Sequence, residues 1–117
     1  MATSRSPEAW IAGVFLYSGR RDPAWQVSER VAKALQRLWD GMTPAPGASL
    51  DTSRLGYRGV FLREAEGREW SAFRGLASLK TRTGIEVRTD TAREFEKRIL
   101  ASAPTGLLPE DITSSLQ

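Results

Sequence analysis

The chain has 117 residues, of which 40% are hydrophobic and 26% charged, and its formal net charge is +3. That length and balance fit one soluble globular domain able to bury its own core, and they exclude a chain disordered throughout. With no cysteine and no histidine, disulfides, thiolate metal sites, cysteine nucleophiles and imidazole acid–base chemistry are all excluded.

The composition argues against an enzyme. The fourteen acidic residues are scattered, with no D-x-D-x-D loop and no paired-carboxylate motif. A carboxylate-only site for magnesium or calcium stays open, as does a hydrolase or isomerase built on a carboxylate and a tyrosine. No cofactor is expected. The cations are fourteen Arg against three Lys. That bias has two sources: a GC-rich genome, or planar recognition of carboxylate and phosphate. "MATSRSPEAW" lacks the apolar run of a signal peptide. No stretch approaches the roughly 20 apolar residues of a membrane helix. A cytoplasmic protein with no membrane contact is expected.

Residues 1–8 read as a flexible lead-in, 9–104 as a single α+β domain, and 105–117 as a partly disordered tail in which Leu107 and Leu108 can dock. "AWIAGVFLY" (9–17) is a strand. Both of its alternating faces are mostly apolar, as in a strand covered on both sides. "QVSERVAKALQRLWDGM" (26–42) is the strongest helix. Val31, Leu35, Leu38, Trp39 and Met42 make one stripe, Ser28 caps the start, and Gly41 suits a left-handed residue after the end. "TPAPGASLDTSR" (43–54) is a linker. "LGYRGVFLR" (55–63) and "REWSAFRGLASLK" (68–80) form a hairpin about "EAEG". In its first arm Tyr57, Gly59 and Phe61 alternate with Arg58, Val60 and Leu62. Gly56 and Gly59 there mark a bulge or a close backbone approach. "IEVRTD" (85–90) is a short edge strand whose charge discourages edge-to-edge pairing. "TDTAREFEKRILASAP" (89–104) is a second helix. Thr91 and Glu94 form its capping box, Ala92, Phe95, Ile99 and Ala103 its apolar stripe, and Pro104 its end. The order β-α-β-β-(β)-α predicts a small antiparallel sheet with two helices packed on one face.

Four constellations are candidates for function. In "FLYSGRRDPAW", Gly19, Asp22 and Pro23 build a strand-to-helix turn, with Asp22 bonding backbone N–H groups. Arg20 and Arg21 offer forks for an anion, and Tyr17 and Trp25 offer flat walls. Tyr57, Arg58, Arg68, Trp70 and Arg74 interleave aromatic and basic groups, as single-stranded nucleic-acid platforms do. A helix-covered sheet with core aromatics and rim arginines produces the same pattern and accounts for it better at this modest net charge. Glu64, Glu66, Glu69 and Glu86 fit a solvated turn paired with Arg63 and Arg68 better than a catalytic set. Last, an unpaired sheet edge can take a peptide as an added strand.

"FLYSGRRDPAW", the capped helix ending "LWDGM", and "LGYRGVFLR" with "GREW" resemble a group of small bacterial proteins. Their usual form is a strand, S-G-R-P-x-P-x-W, a helix and L-G-Y-R-G. Arg21-Asp22 stands here where that pattern has Pro-Asn. The likeness spans roughly residues 10 to 104. The chain is also similar to the small partner subunits of multinuclear iron enzymes that modify ribosomally made peptides, as in 3-thiaglutamate biosynthesis. That resemblance implies a non-catalytic accessory subunit that binds a larger metalloenzyme, which carries the iron, and a precursor peptide. The alternative is a binding module for an anionic small molecule or single-stranded nucleic acid. The expected binding residues are Tyr17, Arg20, Arg21, Trp25, Tyr57, Arg58, Arg68 and Trp70.

Overall fold

The computed structural model describes residues 10–16, 22–50, 56–65 and 67–108. Among them, seven strands form one antiparallel sheet: β1 (Trp10–Val14), β2 (Ala24–Gln26), β3 (Thr43–Pro44), β4 (Val60–Glu64), β5 (Glu69–Phe73), β6 (Leu76–Thr81) and β7 (Gly84–Thr89). Their spatial order is β2-β1-β4-β5-β6-β7-β3. Helices α1 (Glu29–Asp40) and α2 (Glu94–Ala101) cover one face. The expected α+β class, a small antiparallel sheet with two helices, is therefore what the chain adopts. The expected lead-in, residues 1–8, and most of the expected tail, residues 109–117, lie outside the described residues.

The core lies between the helices and one sheet face. Trp10, Ala12, Val14, Trp25, Val60, Leu62, Trp70, Ala72 and Ala77 supply the sheet side; Ala32, Leu35, Trp39, Phe95, Ile99 and Leu100 supply the helices. The stripe expected on the first helix is the buried one: Leu35 and Trp39 are buried, while Val31, Leu38 and Met42 pack around them. Ser28 Oγ accepts from the Val31 N–H at 3.2 Å, capping the start. Arg88 seals one rim, its guanidinium 4.3 Å above the Trp39 ring and bonded to the Trp39 carbonyl at 2.8 Å. Leu108 docks on the core whereas Leu107 stays exposed.

Several local expectations give way. Gly41 has φ −88°, so it continues the helical turn instead of taking a left-handed form. The run 68–80 is two strands, because Arg74 (φ 54°) and Gly75 (φ 90°) turn the chain back tightly between Phe73 and Leu76. The capping box Thr91–Glu94 does not form. Thr91–Arg93 is a 3-10 turn, Ala92 is exposed in it at φ 56°, and Asp90 caps α2 instead. Its two carboxylate oxygens accept from Phe95 N–H at 2.9 Å and Glu96 N–H at 3.1 Å. Among the described residues, no helix is long and apolar enough to cross a membrane.

Candidate functional site

Among the described residues, no helix lies on the other sheet face. Its side chains are ordered by the strand register. Ile11, Arg63, Glu69, Lys80 and Ile85 stand opposite one another in one row. Gly13, Phe61, Ser71, Ser78 and Val87 form the next. The second row dips in the middle, because Ser71 and Ser78 carry the smallest side chains after Gly13. Phe61, although buried, is on this face and outside the helix-side core. Its ring lies over Gly13, where an added Cβ would come within 2.3 Å of Phe61 Cζ. Phe61 also contacts the Phe15 ring, with centroids 4.9 Å apart, and carries the Arg63 guanidinium at 4.0 Å.

Above the two serines is a cavity of about 280 Å³. Phe15, Leu50, Ile85 and Val87 give it apolar walls, Ser49, Ser71 and Ser78 give hydroxyls, and Arg58, Lys80 and Glu69 give charge. Ser49 and Leu50 belong to the connection that leaves the sheet at β3. The Ala45 N–H bonds the Val87 carbonyl at 2.9 Å, which starts that connection across the open face. Glu69 is held by Arg63 at 3.0 Å. Lys80 is exposed and makes no ion pair among the described residues. Among the described residues the lining holds the cations Arg58 and Lys80 and the carboxylate of Glu69, and both Arg58 and Glu69 already have partners.

Arg58 reaches this face through a bulge. Its N–H bonds the Phe15 carbonyl at 2.8 Å, while the Phe15 N–H bonds the Gly59 carbonyl at 2.9 Å. Two residues of one strand therefore oppose one of the other, which shifts the alternation by one position. Gly59 makes the bulge possible. Its φ is +109°, and a Cβ there would sit 2.4 Å from the Ala72 carbonyl oxygen. The expected alternation is corrected accordingly: Tyr57 packs against the same core as Val60 and Leu62, and Arg58 turns to the open face.

On the helix side Tyr57 enters a buried polar cluster. Its hydroxyl donates to Glu96, a side chain with no exposed surface. The Arg74 N–H bonds the same carboxylate at 3.2 Å, and Arg93 grips it with two nitrogens at 3.1 and 3.0 Å. Every strong donor that Glu96 needs is supplied. Burial, and next the bond to Glu96, push the Tyr57 hydroxyl pKa far above its ordinary range. The bond to Glu96 raises Arg93 as well. Burial raises Asp90, against the two N–H groups that it caps. This cluster ties the start of β4, the β5–β6 turn and the first turn of α2 together.

The expected site residues separate. Tyr17, Gly19, Arg20, Arg21 and Glu66 lie outside the described residues. The expected strand-to-helix turn is corrected: the segment joins β1 to the antiparallel strand β2, and helix α1 follows only after it. Asp22 does accept from a backbone N–H there, that of Leu16 at 2.8 Å, and the Pro23 carbonyl accepts from the Val14 N–H at 3.1 Å. Trp25 is not an exposed wall. It is 6% exposed within the core, and its indole N–H donates to Ser102 Oγ at 2.9 Å. Trp70 is 2% exposed and faces the helices, its indole N–H without a hydrogen-bond partner among the described residues. Arg68 is a rim residue, paired with Glu64 and 5.0 Å above the Trp70 ring. The aromatic–basic platform is thus a covered core with arginine rims. Of the described members of the binding set, Arg58 is the one that lines the cavity. Sequence reasoning missed Ser71, Ser78 and Lys80, whose only signal was small and basic residues at alternate strand positions, and it missed the Glu96 cluster altogether.

Among the described residues, no three carboxylates gather as a metal site. Comparison of the chain with protein-family models, curated proteins and solved structures found no match.

Proposed function

We propose that the protein works by binding, as an accessory subunit whose helix-free face seats an extended segment of a partner protein or peptide. The observation that carries this reading is the cavity over Ser71 and Ser78. It opens on a sheet face that no helix covers among the described residues, beside Ile85, which is 65% exposed. Its volume lies just below the about 300–1,000 Å³ of small-molecule sites and suits one or two side chains. Seating one large apolar side chain there is worth about 1.5–3 kcal/mol before ordering costs.

The sheet edges support main-chain docking less well. They end in strands of three and two residues, β2 and β3, and very short edge strands offer little ladder. The outer edge of Gly84–Glu86 is the exception, with no strand paired to it among the described residues. It adjoins the cavity through Ile85, so an occupant of the cavity can also meet this edge. The partner in this reading is a larger protein, in keeping with the resemblance to accessory subunits of peptide-modifying metalloenzymes.

One variant tests the reading. Ser78→Leu fills the hollow without touching the helix-side core. The complex isolated with the natural partner is expected to dissociate with this variant and to persist with Lys33→Glu on α1. Persistence of the complex with folded Ser78→Leu would refute the reading. A second reading, an anionic small molecule, is favoured by Arg58 and Lys80 in the lining. It predicts that a small carboxylate or phosphate ester protects the fold from heat with no peptide present.

A further inference from the structure

Resting on that reading, we infer that Glu96, buried on the helix side of the sheet, is a positioning residue for the opposite face: through Tyr57 it fixes the bulge at Arg58 and Gly59, and so holds the Arg58 and Phe15 wall of the cavity in place.

Three observations carry this. First, adjacent residues of one segment serve the two faces. Tyr57 packs on the helix-side core and its hydroxyl donates to Glu96, whereas Arg58 lines the cavity. Second, the bulge joins Arg58 to another wall residue. The Arg58 N–H bonds the Phe15 carbonyl at 2.8 Å, the Phe15 N–H bonds the Gly59 carbonyl at 2.9 Å, and Phe15 lines the same cavity. Third, Glu96 is a fixed acceptor. It has no exposed surface, the Arg74 N–H bonds it at 3.2 Å from the β5–β6 turn, and Arg93 holds it at 3.1 and 3.0 Å. Its carboxylate cannot follow Tyr57 if the strand shifts.

The two faces are therefore interdependent. Side chains alternate along a strand, so a slip of one residue sends each of them to the other face. Were the bulge to flatten, Arg58 would join Val60 on the helix side and Tyr57 would leave it. Gly59 permits the bulge, with φ +109°, but does not choose which neighbour turns inward. The bond to Glu96 makes that choice: it stabilises Tyr57 inside and thereby Arg58 outside. The Tyr57 ring adds to this by meeting Phe73 edge-on, with centroids 5.7 Å apart. A bulge that re-aims one side chain is a common device next to functional sites, and here the helix side sets its direction.

Amide hydrogen exchange of the full chain, read by NMR, tests this without any partner. The Phe15 and Arg58 amides report the bulge, because their bonds define it. The Leu62 and Trp70 amides, at paired positions of β4 and β5, report opening of the sheet as a whole. Tyr57→Phe is expected to speed exchange at Phe15 and Arg58 about tenfold, the effect of one lost bond to a charged group. Ser28→Ala, which removes the α1 cap, is expected to speed Leu62 and Trp70 and to leave Phe15 and Arg58 at their parent rates. Glu96→Gln keeps a bond to the Tyr57 hydroxyl in either orientation of its amide, and is expected to speed the bulge amides less than Tyr57→Phe does. Phe15 and Arg58 unmoved by Tyr57→Phe would overturn the inference, since Glu96 would then serve the helix side alone. The same two amides responding to Ser28→Ala as they do to Tyr57→Phe would overturn it too, as would a larger acceleration by Glu96→Gln. Should Tyr57→Phe fail to fold, the parent chain in rising sub-denaturing urea decides. Its Phe15, Arg58 and Arg74 amides are expected to follow one opening, and an Arg74 amide that opens apart from the other two would overturn the coupling. The binding face itself stands or falls separately, with Ser78→Leu and the natural partner.

Discussion

Ser71 and Ser78 stand directly opposite each other on β5 and β6, and the helix-free face is hollow because neither brings more than a hydroxymethyl group to it. Phe61 on one side and Val87 on the other are far larger. The hollow is therefore a matter of side-chain volume on a flat, well-paired sheet, not of loop geometry. Filling it by Ser78→Leu is expected to change stability by less than about 1 kcal/mol, since it adds an apolar side chain to a half-buried strand position. Urea unfolding of the variant checks this, and a normal transition licenses its use in binding experiments.

Gly59 is expected to tolerate no side chain. Gly59→Ala meets both a positive φ and the Ala72 carbonyl at 2.4 Å. The loss should be at least about 2 kcal/mol, read as a lower urea midpoint with an unchanged slope. A variant as stable as the parent would show that the bulge is not needed.

Tyr57→Phe removes one donor from Glu96 and leaves those of Arg93 and Arg74. A loss of about 1–3 kcal/mol is expected, measured by thermal and urea unfolding at neutral pH. Glu96→Ala strips three groups of their acceptor at once, leaving the Arg93 guanidinium beside a void, and should cost more than Tyr57→Phe.

The same bond gives a pH dependence. In the unfolded chain Tyr57 loses its proton near about pH 10, whereas in the folded chain burial and Glu96 hold that proton well beyond. Above that pH the folded state binds the extra proton. Stability should fall as pH rises past about 10 and be undiminished by this residue below it. In Tyr57→Phe this part of the alkaline slope should vanish, as seen by unfolding at a series of pH values.

Much of the fold was legible because its signals are local. The α1 stripe, the Ser28 cap and the apolar strand at the N-terminus each need only their own neighbours. Strands β2 and β3 were not legible, since segments of three and two residues carry no periodicity. The split of 68–80 was hidden because its turn is Arg-Gly and not Asn-Gly. The α2 start was misplaced because Thr91 and Glu94 match a capping box, while Asp90 outcompetes Thr91 once the chain is buried. The glycines of "LGYRG" did announce a bulge, but not that Tyr57 and Arg58 would be sent to opposite faces. Glu96 looked like any acid on an exposed helix. Its partners come from positions 57, 74 and 93, and only the tertiary fold brings them together. The cavity was invisible for the same reason, as its floor is two serines from different strands.

Site-specific photo-cross-linking bears most directly on the claim that the helix-free face is the binding face. The chain has no cysteine, so a single Ile85→Cys carries the reagent at the cavity mouth and Lys33→Cys carries it on α1. With the natural partner present, cross-links from position 85, lost when Ser78→Leu is added, are the predicted result. Cross-links from position 33 with none from position 85 would contradict it.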